Sequence, residues 1–594
     1  MERSAHVRSA LEAMPLFAEL TDELREVMLA EATLVRVPAD GWLFHQGDAG
    51  DALYVISSGR LEVVRESPAP PIVLRQLGRG DSIGELALLT GTPRSAAARA
   101  IRDTELVRIG RDEMLRLLHD SPSFAVALTR AIGRLLQASE PPPAGRRGPP
   151  PSVVAVVPLV PGAPFRELCD ALLEAVRPWA RAAVLTREEL AALETEGDER
   201  FAAHGRVLDE RERDHDCVVL LGGEGEAADP WNAYCIRQAD RVVAITDARP
   251  PPYGRDGRVQ HLAERSCDLV LWGRAGETAH VTGPWLRALE PRSHHFVEPG
   301  PRLGQTAQRA ARRLLGRSVG YVLSGGGAGG LAHLGVLAAL EEAGVAIDRV
   351  GGCSFGALVG AMYAQGRHPQ EIIAICREEL VRRRPFNDYT VPRRAILRGR
   401  KAHEALRRIF GAAQIEHLPL NYFCVSADLM SGDTVVHRRG SLREAVFASM
   451  SLPGLGPPTP YGGRLLVDGG VLNNLPVDVM GTLDEGPVVA VDVIRRRLPS
   501  KESLAAADDL GRGPAMRPPT LGIHEILLRS SVLGSWRVGE RNRALAQLVI
   551  APDVRGTGLL EFGRIDELVR VGRAAAEGSL DEIRALEPAG LTPR

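Results

Sequence analysis

The sequence predicts a multidomain α/β chain, with a small β-roll near the N-terminus, an α/β middle region and a larger C-terminal α/β domain. Three observations carry this expectation. At 594 residues, and about 100 to 200 residues per domain, three to five domains are expected. The run from Thr33 to Val64, TLVRVPADGWLFHQGDAGDALYVISSGRLEVV, is a series of short alternating segments broken by turns, which suits a β-roll. From Val153 onward, apolar runs such as VVAVVPLV, CVVLL and RVVAIT alternate with helical stretches, the pattern of parallel strands joined by crossovers. The expected boundaries are residues 1–138, a linker at 139–152, the middle region at 153–316 and the last domain at 317–594.

Composition narrows the function classes. Hydrophobic residues make up 44% and charged residues 25%, as in ordinary soluble proteins, and the formal net charge of -2 argues against a nucleic-acid partner. Lys401 and Lys501 are the only lysines, so nearly all positive charge is arginine. Seven cysteines are scattered without C-x-x-C spacing, which argues against a disulfide framework or a zinc site, and no metal is expected. No basic-then-apolar leader opens the chain and no apolar stretch reaches about 18 residues without charge. The expectation is a cytoplasmic protein, at most peripheral to the inner face of a membrane.

Helical segments from His6 to Leu29 precede the roll. Its informative part is Asp81 to Ala100, DSIGELALLTGTPRSAAARA. A short helical turn starts after Gly84, whose lack of a side chain lets a ligand approach the backbone. Glu85 opens that turn, and Arg94 follows about nine residues later beside Ser95 and Ala96. A helix start plus a guanidinium suits one phosphate diester, and Glu85 can accept from a ribose hydroxyl. The region from about Pro15 to Leu136 resembles cyclic nucleotide-binding domains. That resemblance implies that Glu85 takes the ribose 2'-hydroxyl and Arg94 the cyclic phosphate of cAMP or cGMP, with amides near Leu86, Ala87 and Ala96 completing the cradle. The alternative is a retained fold that no longer binds nucleotide.

Helical text from Arg111 to Ser139 should close this domain. Glu140 to Ser152, EPPPAGRRGPPPS, then reads as a stiff linker. In the middle region, Gly222, Gly223 and Gly225 only weakly suggest a nucleotide loop. The adjacent His294 and His295 lack a third ligand beside them.

The last domain is organised around Gly320 to Ala357, two successive strand, glycine-turn, helix units. In the first, Tyr321 to Leu323 enter a turn of Gly325, Gly326, Gly327, Ala328, Gly329 and Gly330. In the second, an apolar segment ends at Val350, and Ser354 follows between Gly352 and Gly356. This is the layout of a nucleophile elbow, which exposes a hydroxyl at a helix N-terminus while the neighbouring glycine amides can stabilise an oxyanion. The G-x-S-x-G pattern occurs three times in the chain, against about 0.4 expected by chance. The copies at Ser82 and Ser318 lack the strand-to-helix context, so Ser354 is the candidate. Gly325, Gly327 and Gly330 also fit a dinucleotide fingerprint, with Asp348 roughly 20 residues on as its acid. Downstream, Asp468 follows an apolar run and precedes Gly469 and Gly470. Its carboxylate could deprotonate Ser354 directly, with no histidine between them, if burial raised its pKa. His333 is expected to be a packed or capping residue.

The ordered set GGGAGG at Gly325, GCSFG at Gly352, ASMSLPG at Ala448 and DGGVLNNLP at Asp468 resembles the patatin-like phospholipases of the neuropathy target esterase type. The match runs from about Ser318 to Ala574. It implies a patatin-like α/β hydrolase domain, a Ser354/Asp468 dyad, an oxyanion turn at Gly325 to Gly330, and hydrolysis of lysophospholipid or phospholipid acyl esters without a catalytic cofactor. Cyclic nucleotide would then be a regulator. One departure is Gly329, where relatives usually carry Arg or Lys, and the alternative is a nucleotide-sensing binding protein with an impaired hydrolase domain. Finally, RRRPFNDYTVPRRAILRGRKA, Arg382 to Ala402, mixes arginine with Phe386, Tyr389, Ile396 and Leu397. It reads either as an interfacial patch for anionic head groups or as a solvated, mobile lid.

Overall fold

The computed structural model describes residues 32–67, 72–120, 125–126, 151–191, 198–223, 229–252, 262, 267–391, 393–494 and 523–587. The expected N-terminal helices, the second half of the helical text after Arg111 and nearly all of the Pro/Gly/Arg linker lie outside the described residues. The chain divides into two compact units. One holds residues 1–272 and 284–308, the other residues 273–283 and 309–594.

The first unit contains the roll and the middle region. The roll is two four-stranded antiparallel sheets. One runs Thr33–Val37, Thr104–Gly110, Ala52–Ser58, Ser82–Ile83; the other runs Trp42–Phe44, Ala97–Ala100, Leu61–Arg65, Ile72–Leu77. Tyr54, Ile56, Leu61, Val63, Ile83 and Leu106 fill the space between them. The middle region is a six-stranded parallel sheet, ordered Ala182–Leu185, Cys217–Leu221, Val153–Pro158, Arg241–Thr246, Asp268–Trp272, Ser293–Val297. Its strands are rich in valine and leucine and largely buried, as parallel strands covered on both faces must be.

Roll and middle sheet meet at a buried charge network. Arg102, from the roll, places Nη2 2.5 Å from Glu212 and lies 4.0 Å from both Asp209 and Asp240. Arg60 donates to the Ser152 hydroxyl at 2.6 Å and pairs with Asp240 at 3.3 Å. Burial alone would lower the Arg102 pKa, but Asp240, Glu212 and Asp209 together raise it, so the guanidinium stays charged. Burial pushes Asp209 up to about 7 although Arg102 and Arg79 pull it down.

The second unit is built on an eight-stranded mixed sheet, ordered Thr459–Tyr461, Arg464–Asp468, Asn421–Asp428, Arg349–Cys353, Gly320–Leu323, Val488–Val491, Leu548–Ile550; Thr434–His437 pairs with Asn421–Asp428 off this path. The four strands from Asn421–Asp428 to Val488–Val491 run parallel, as does Leu548–Ile550, whereas Arg464–Asp468 is antiparallel to Asn421–Asp428. The helix Ala332–Glu342 packs backbone to backbone on the helix Ile565–Glu577. A Cβ on Gly335 would sit 1.9 Å from the Val569 carbonyl, and one on Gly572 would sit 1.9 Å from the Ala332 carbonyl. Two facing glycines thus set the distance between these helices.

Candidate active site

Ser354 stands where Arg349–Cys353 ends and the helix Ser354–Ala364 begins. Its φ of 53° is in the left-handed region, which a non-glycine residue adopts only under strain. Gly356 makes this turn feasible, since a Cβ there would meet the Leu323 carbonyl at 2.2 Å; one on Gly352 would meet the same carbonyl at 2.7 Å. Of the three G-x-S-x-G serines, Ser82 donates to Glu85 and Ser318 is buried against the Glu485 carbonyl. Only Ser354 occupies a strained strand-to-helix turn.

The Ser354 hydroxyl donates to Asp468 Oδ2 at 2.6 Å. Asp468 ends the strand Arg464–Asp468, and its other oxygen accepts from the Gly470 amide at 2.8 Å. Burial pushes the carboxyl up to about 6, against the lowering effects of Ser354, the Gly470 amide and Cys353. A carboxylate with that pKa is a competent base near neutrality, and the required burial is present.

The glycine turn lies against this pair. A Cβ on Gly325 would stand 3.0 Å from Ser354 Cβ and 2.5 Å from Asn474 Oδ1. The Gly325 amide donates to the Asn474 carbonyl at 3.2 Å, and the Ala328 amide donates to the Leu559 carbonyl at 2.8 Å. Gly326 and Gly327 open the 3-10 helix Gly327–Leu331, and Gly327 has φ 55°. Close packing explains the glycines: a Cβ on Gly326 would strike Val493, on Gly327 Leu559, on Gly330 Phe355, and on Gly329 would stand 3.2 Å from Val554. His333 is buried and hydrogen-bonds the Ser324 carbonyl through Nε2 at 2.9 Å, and burial lowers its pKa to about 4. It holds the residue that enters the turn.

Asp348 belongs to the opposite end of the sheet. It pairs with Arg312 at 2.6 and 2.9 Å and accepts from the Val319 amide, ahead of the strand whose far end carries the glycine turn. The acid that a dinucleotide fingerprint would need is therefore on the wrong edge.

Three side chains escaped the sequence reading. Ser449 accepts from the Ser354 amide at 2.9 Å and donates to the Val425 carbonyl at 2.7 Å, fixing the backbone of the Ser354 turn. Asn474 also donates through Nδ2 to the Gly325 carbonyl at 3.2 Å. Cys353 turns its sulfur to Asp468 Oδ1 at 3.7 Å. Ser449 and Asn474 lie inside the segments ASMSLPG and DGGVLNNLP, which were the available signal.

An apolar cavity of about 50 Å³ is lined by neighbours of the pair, though by neither residue itself. Leu358, one turn along the Ser354 helix, lines it with Leu406, Ile409, Phe447 and Met450. So does Ser451, whose carbonyl accepts from the Asp468 amide at 2.9 Å.

In the roll, Gly84 has φ 103° and precedes the helix Glu85–Thr90. Arg94 is buried, donating to the Ala52 carbonyl at 2.8 Å and the Gly84 carbonyl at 3.2 Å, with its guanidinium 4.3 Å from the Phe44 ring centre. Its Nε has no hydrogen-bond partner among the described residues, and burial lowers its pKa. Glu85 is buried and accepts from Ser82. Ala87 is buried, Leu86 and Ser95 are exposed, and Ala96 is half-buried.

Comparison with known proteins finds a counterpart for each of the two domains. Residues 321–480 match the family model for patatin-like phospholipases, and residues 34–121 match that for cyclic nucleotide-binding domains. An uncharacterised NTE family protein of Mycobacterium tuberculosis is 37% identical, with 97% of each chain covered. The lysophospholipase nte1 of Neosartorya fischeri is 29% identical over 93% of this chain and 42% of its own length. Among solved structures, the N-terminal domain of a transcriptional regulator from Streptomyces coelicolor A3(2) is 35% identical, covering 22% of this chain and 94% of that one, with a TM-score of 0.20. The regulatory domain of Toxoplasma gondii PKA with cAMP is 27% identical, covering 19% and 44%, with a TM-score of 0.19.

The chain is thus a hydrolase of the patatin-like phospholipase class with a cyclic nucleotide-binding domain. It belongs to the NTE family.

Proposed function

We propose that the protein hydrolyses fatty acyl esters of lysophospholipids or phospholipids through a Ser354–Asp468 dyad. The carrying observation is the 2.6 Å bond from the strained Ser354 hydroxyl to the buried Asp468 carboxylate. Ser354 Oγ attacks the ester carbonyl carbon as its proton passes to Asp468. The amides of Gly326 and Gly327 donate to the resulting oxyanion, those of Gly325 and Ala328 being engaged within the chain. Collapse of the tetrahedral intermediate expels the alcohol, which takes the proton back from Asp468, and leaves an acyl-serine. Asp468 then deprotonates a water that attacks the acyl carbonyl, and a second collapse frees the fatty acid and restores Ser354. The apolar cavity beside Leu358 receives the acyl chain.

The test is turnover of lysophosphatidylcholine and labelling by a fluorophosphonate. Ser354→Ala should lose both and Asp468→Asn should lose turnover, each with an unchanged circular dichroism spectrum. Full activity in either variant rejects the dyad, and a folded wild type that takes no label supports a binding protein with an impaired hydrolase domain.

Regulation belongs to the same proposal. The guanidinium of Arg94 is buried with Nε unpaired, so a cyclic phosphate reaching it would complete its coordination. Calorimetry with cAMP and with cGMP should give heat that Arg94→Ala removes. No heat with either nucleotide identifies a purely structural domain.

A further inference from the structure

Between the π-helix that ends at Arg382 and the helix Arg400–Phe410, residues 388–391 and 393–398 come together as a short hairpin with two unlike faces. Tyr389 and Leu397 pair across it, the Thr390 amide donates to the Ile396 carbonyl, and the Ile396 and Leu397 amides donate to Gly454 and Leu455. Along its return strand, Ala395 and Leu397 are buried, whereas Arg394, Ile396 and Arg398 are exposed. The buried face belongs to the acyl cavity, since Pro385, Phe386, Asp388 and Leu397 line it. Phe386 stacks on Phe562, which stacks in turn on Phe355 beside the nucleophile.

The outer face carries apolar groups that nothing among the described residues covers. Tyr389 is 65% exposed and Val391 76%. Around them stand Arg384, Arg393, Arg394, Arg398 and Arg400, all exposed and without an acidic partner among the described residues, whereas Arg382 and Arg383 pair with Glu378. Asp388 is the only acid between residues 382 and 401. Exposed apolar side chains on a segment dense in unpaired guanidinium groups match an interface where phosphates lie above acyl chains. A soluble acidic partner would account for the arginines but not for the exposure of Val391 and Tyr389 among them.

We propose that this hairpin docks the hydrolase domain on an anionic lipid bilayer and sets the mouth of the acyl cavity at the membrane surface. The inference extends the lipid-esterase reading, which it needs only for the identity of the cavity's occupant. Tyr389 and Val391 enter the acyl region, the arginines bind head-group phosphates, and the inner face of the same hairpin passes the chain inward. No helix among the described residues is long and apolar enough to cross a membrane.

Flotation of the full chain with vesicles of phosphatidylglycerol and phosphatidylcholine, against phosphatidylcholine alone, tests this. Wild type should float with the mixed vesicles. Arg393→Gln/Arg394→Gln should lower the partition coefficient by about tenfold or more, as should Tyr389→Ser/Val391→Ser. Raising the salt should weaken the wild type and the second variant, and affect the first less. Both variants should keep wild-type melting temperatures and wild-type turnover of a short soluble ester. Failure of the wild type to float, equal floating on neutral vesicles, or unaltered floating of both variants overturns the proposal. So does arginine-dependent binding to soluble poly-glutamate without vesicle binding, which assigns the face to an acidic protein. Flotation needs no turnover, so Ser354→Ala should float like wild type. A chain that floats without hydrolysing lipid refutes the esterase reading alone, and one that hydrolyses without floating refutes the docking alone.

Discussion

Cys353 and Ser354, adjacent in the chain, hold opposite oxygens of the same carboxylate: the Cys353 sulfur lies 3.7 Å from Asp468 Oδ1, and the Ser354 hydroxyl 2.6 Å from Oδ2. Burial, and then the negative charge of Asp468, raise the Cys353 pKa well above the usual thiol range, so the thiol keeps its proton and donates to the acid. Ester turnover should therefore fall on the acid side of about pH 6, where Asp468 becomes protonated. Cys353→Ala removes one donor to the carboxylate and should move that limb to higher pH while leaving the plateau within a few fold. A pH–rate profile of kcat/KM for both proteins checks the order of the two midpoints.

The same burial has an effect on stability with a definite sign. Because the folded pKa of Asp468 is raised from 3.8 to about 6, its contribution to stability is greatest below the unfolded value and is lost as pH rises through 6. Asp468→Asn keeps an acceptor for Gly470 and a polar neighbour for Ser354 without a buried anion. It should match wild type below about pH 4 and exceed it above pH 6, by up to about 3 kcal/mol. Denaturant melts of the hydrolase domain at pH 4 and pH 8 measure the difference.

Ser449 is expected to matter for rate more than for folding. Ser449→Ala leaves the Ser354 amide without its acceptor and frees the strained turn, which should cost about 1 to 3 kcal/mol of transition-state stabilisation, roughly 5- to 150-fold in kcat/KM. Single-turnover acylation with a fluorogenic ester isolates the affected step. Ser449→Thr, which keeps the hydroxyl, should recover part of the loss.

The charge network between roll and middle sheet predicts a stability defect that spares the chemistry. Arg102→Met strips the shared partner from Asp209, Glu212 and Asp240, a change worth about 3 to 5 kcal/mol for a buried pair. Calorimetric unfolding should show the transition of that unit falling by several degrees, with short-ester turnover at low temperature retained.

Much of this was legible before any coordinates. The strand, glycine-turn and helix spacing around Gly325 and Ser354 is local, so the elbow and the turn follow from residue types a few positions apart. Asp468 could be picked out because Asp-Gly-Gly after an apolar run becomes informative once a nucleophile is in hand. The partners of Gly325 were hidden, because Asn474 lies 149 residues away and nothing local pairs them. The contact of Cys353 with Asp468 was hidden too, since alternation along a strand says which face a side chain takes, not which oxygen waits there. Nor could residue types show that Arg94 would fold onto the Ala52 and Gly84 carbonyls, since that depends on the curvature of the roll.

Gly335 and Gly572 have a bearing on how the gene can be trimmed. The helix bearing one of them emerges directly from the glycine turn beside Ser354, and the helix bearing the other begins at Ile565. A recombinant fragment stopped anywhere before Ile565 would strip an apolar flank from the helix that anchors the glycine turn. Such a fragment could retain Ser354 and Asp468 intact and still be catalytically dead.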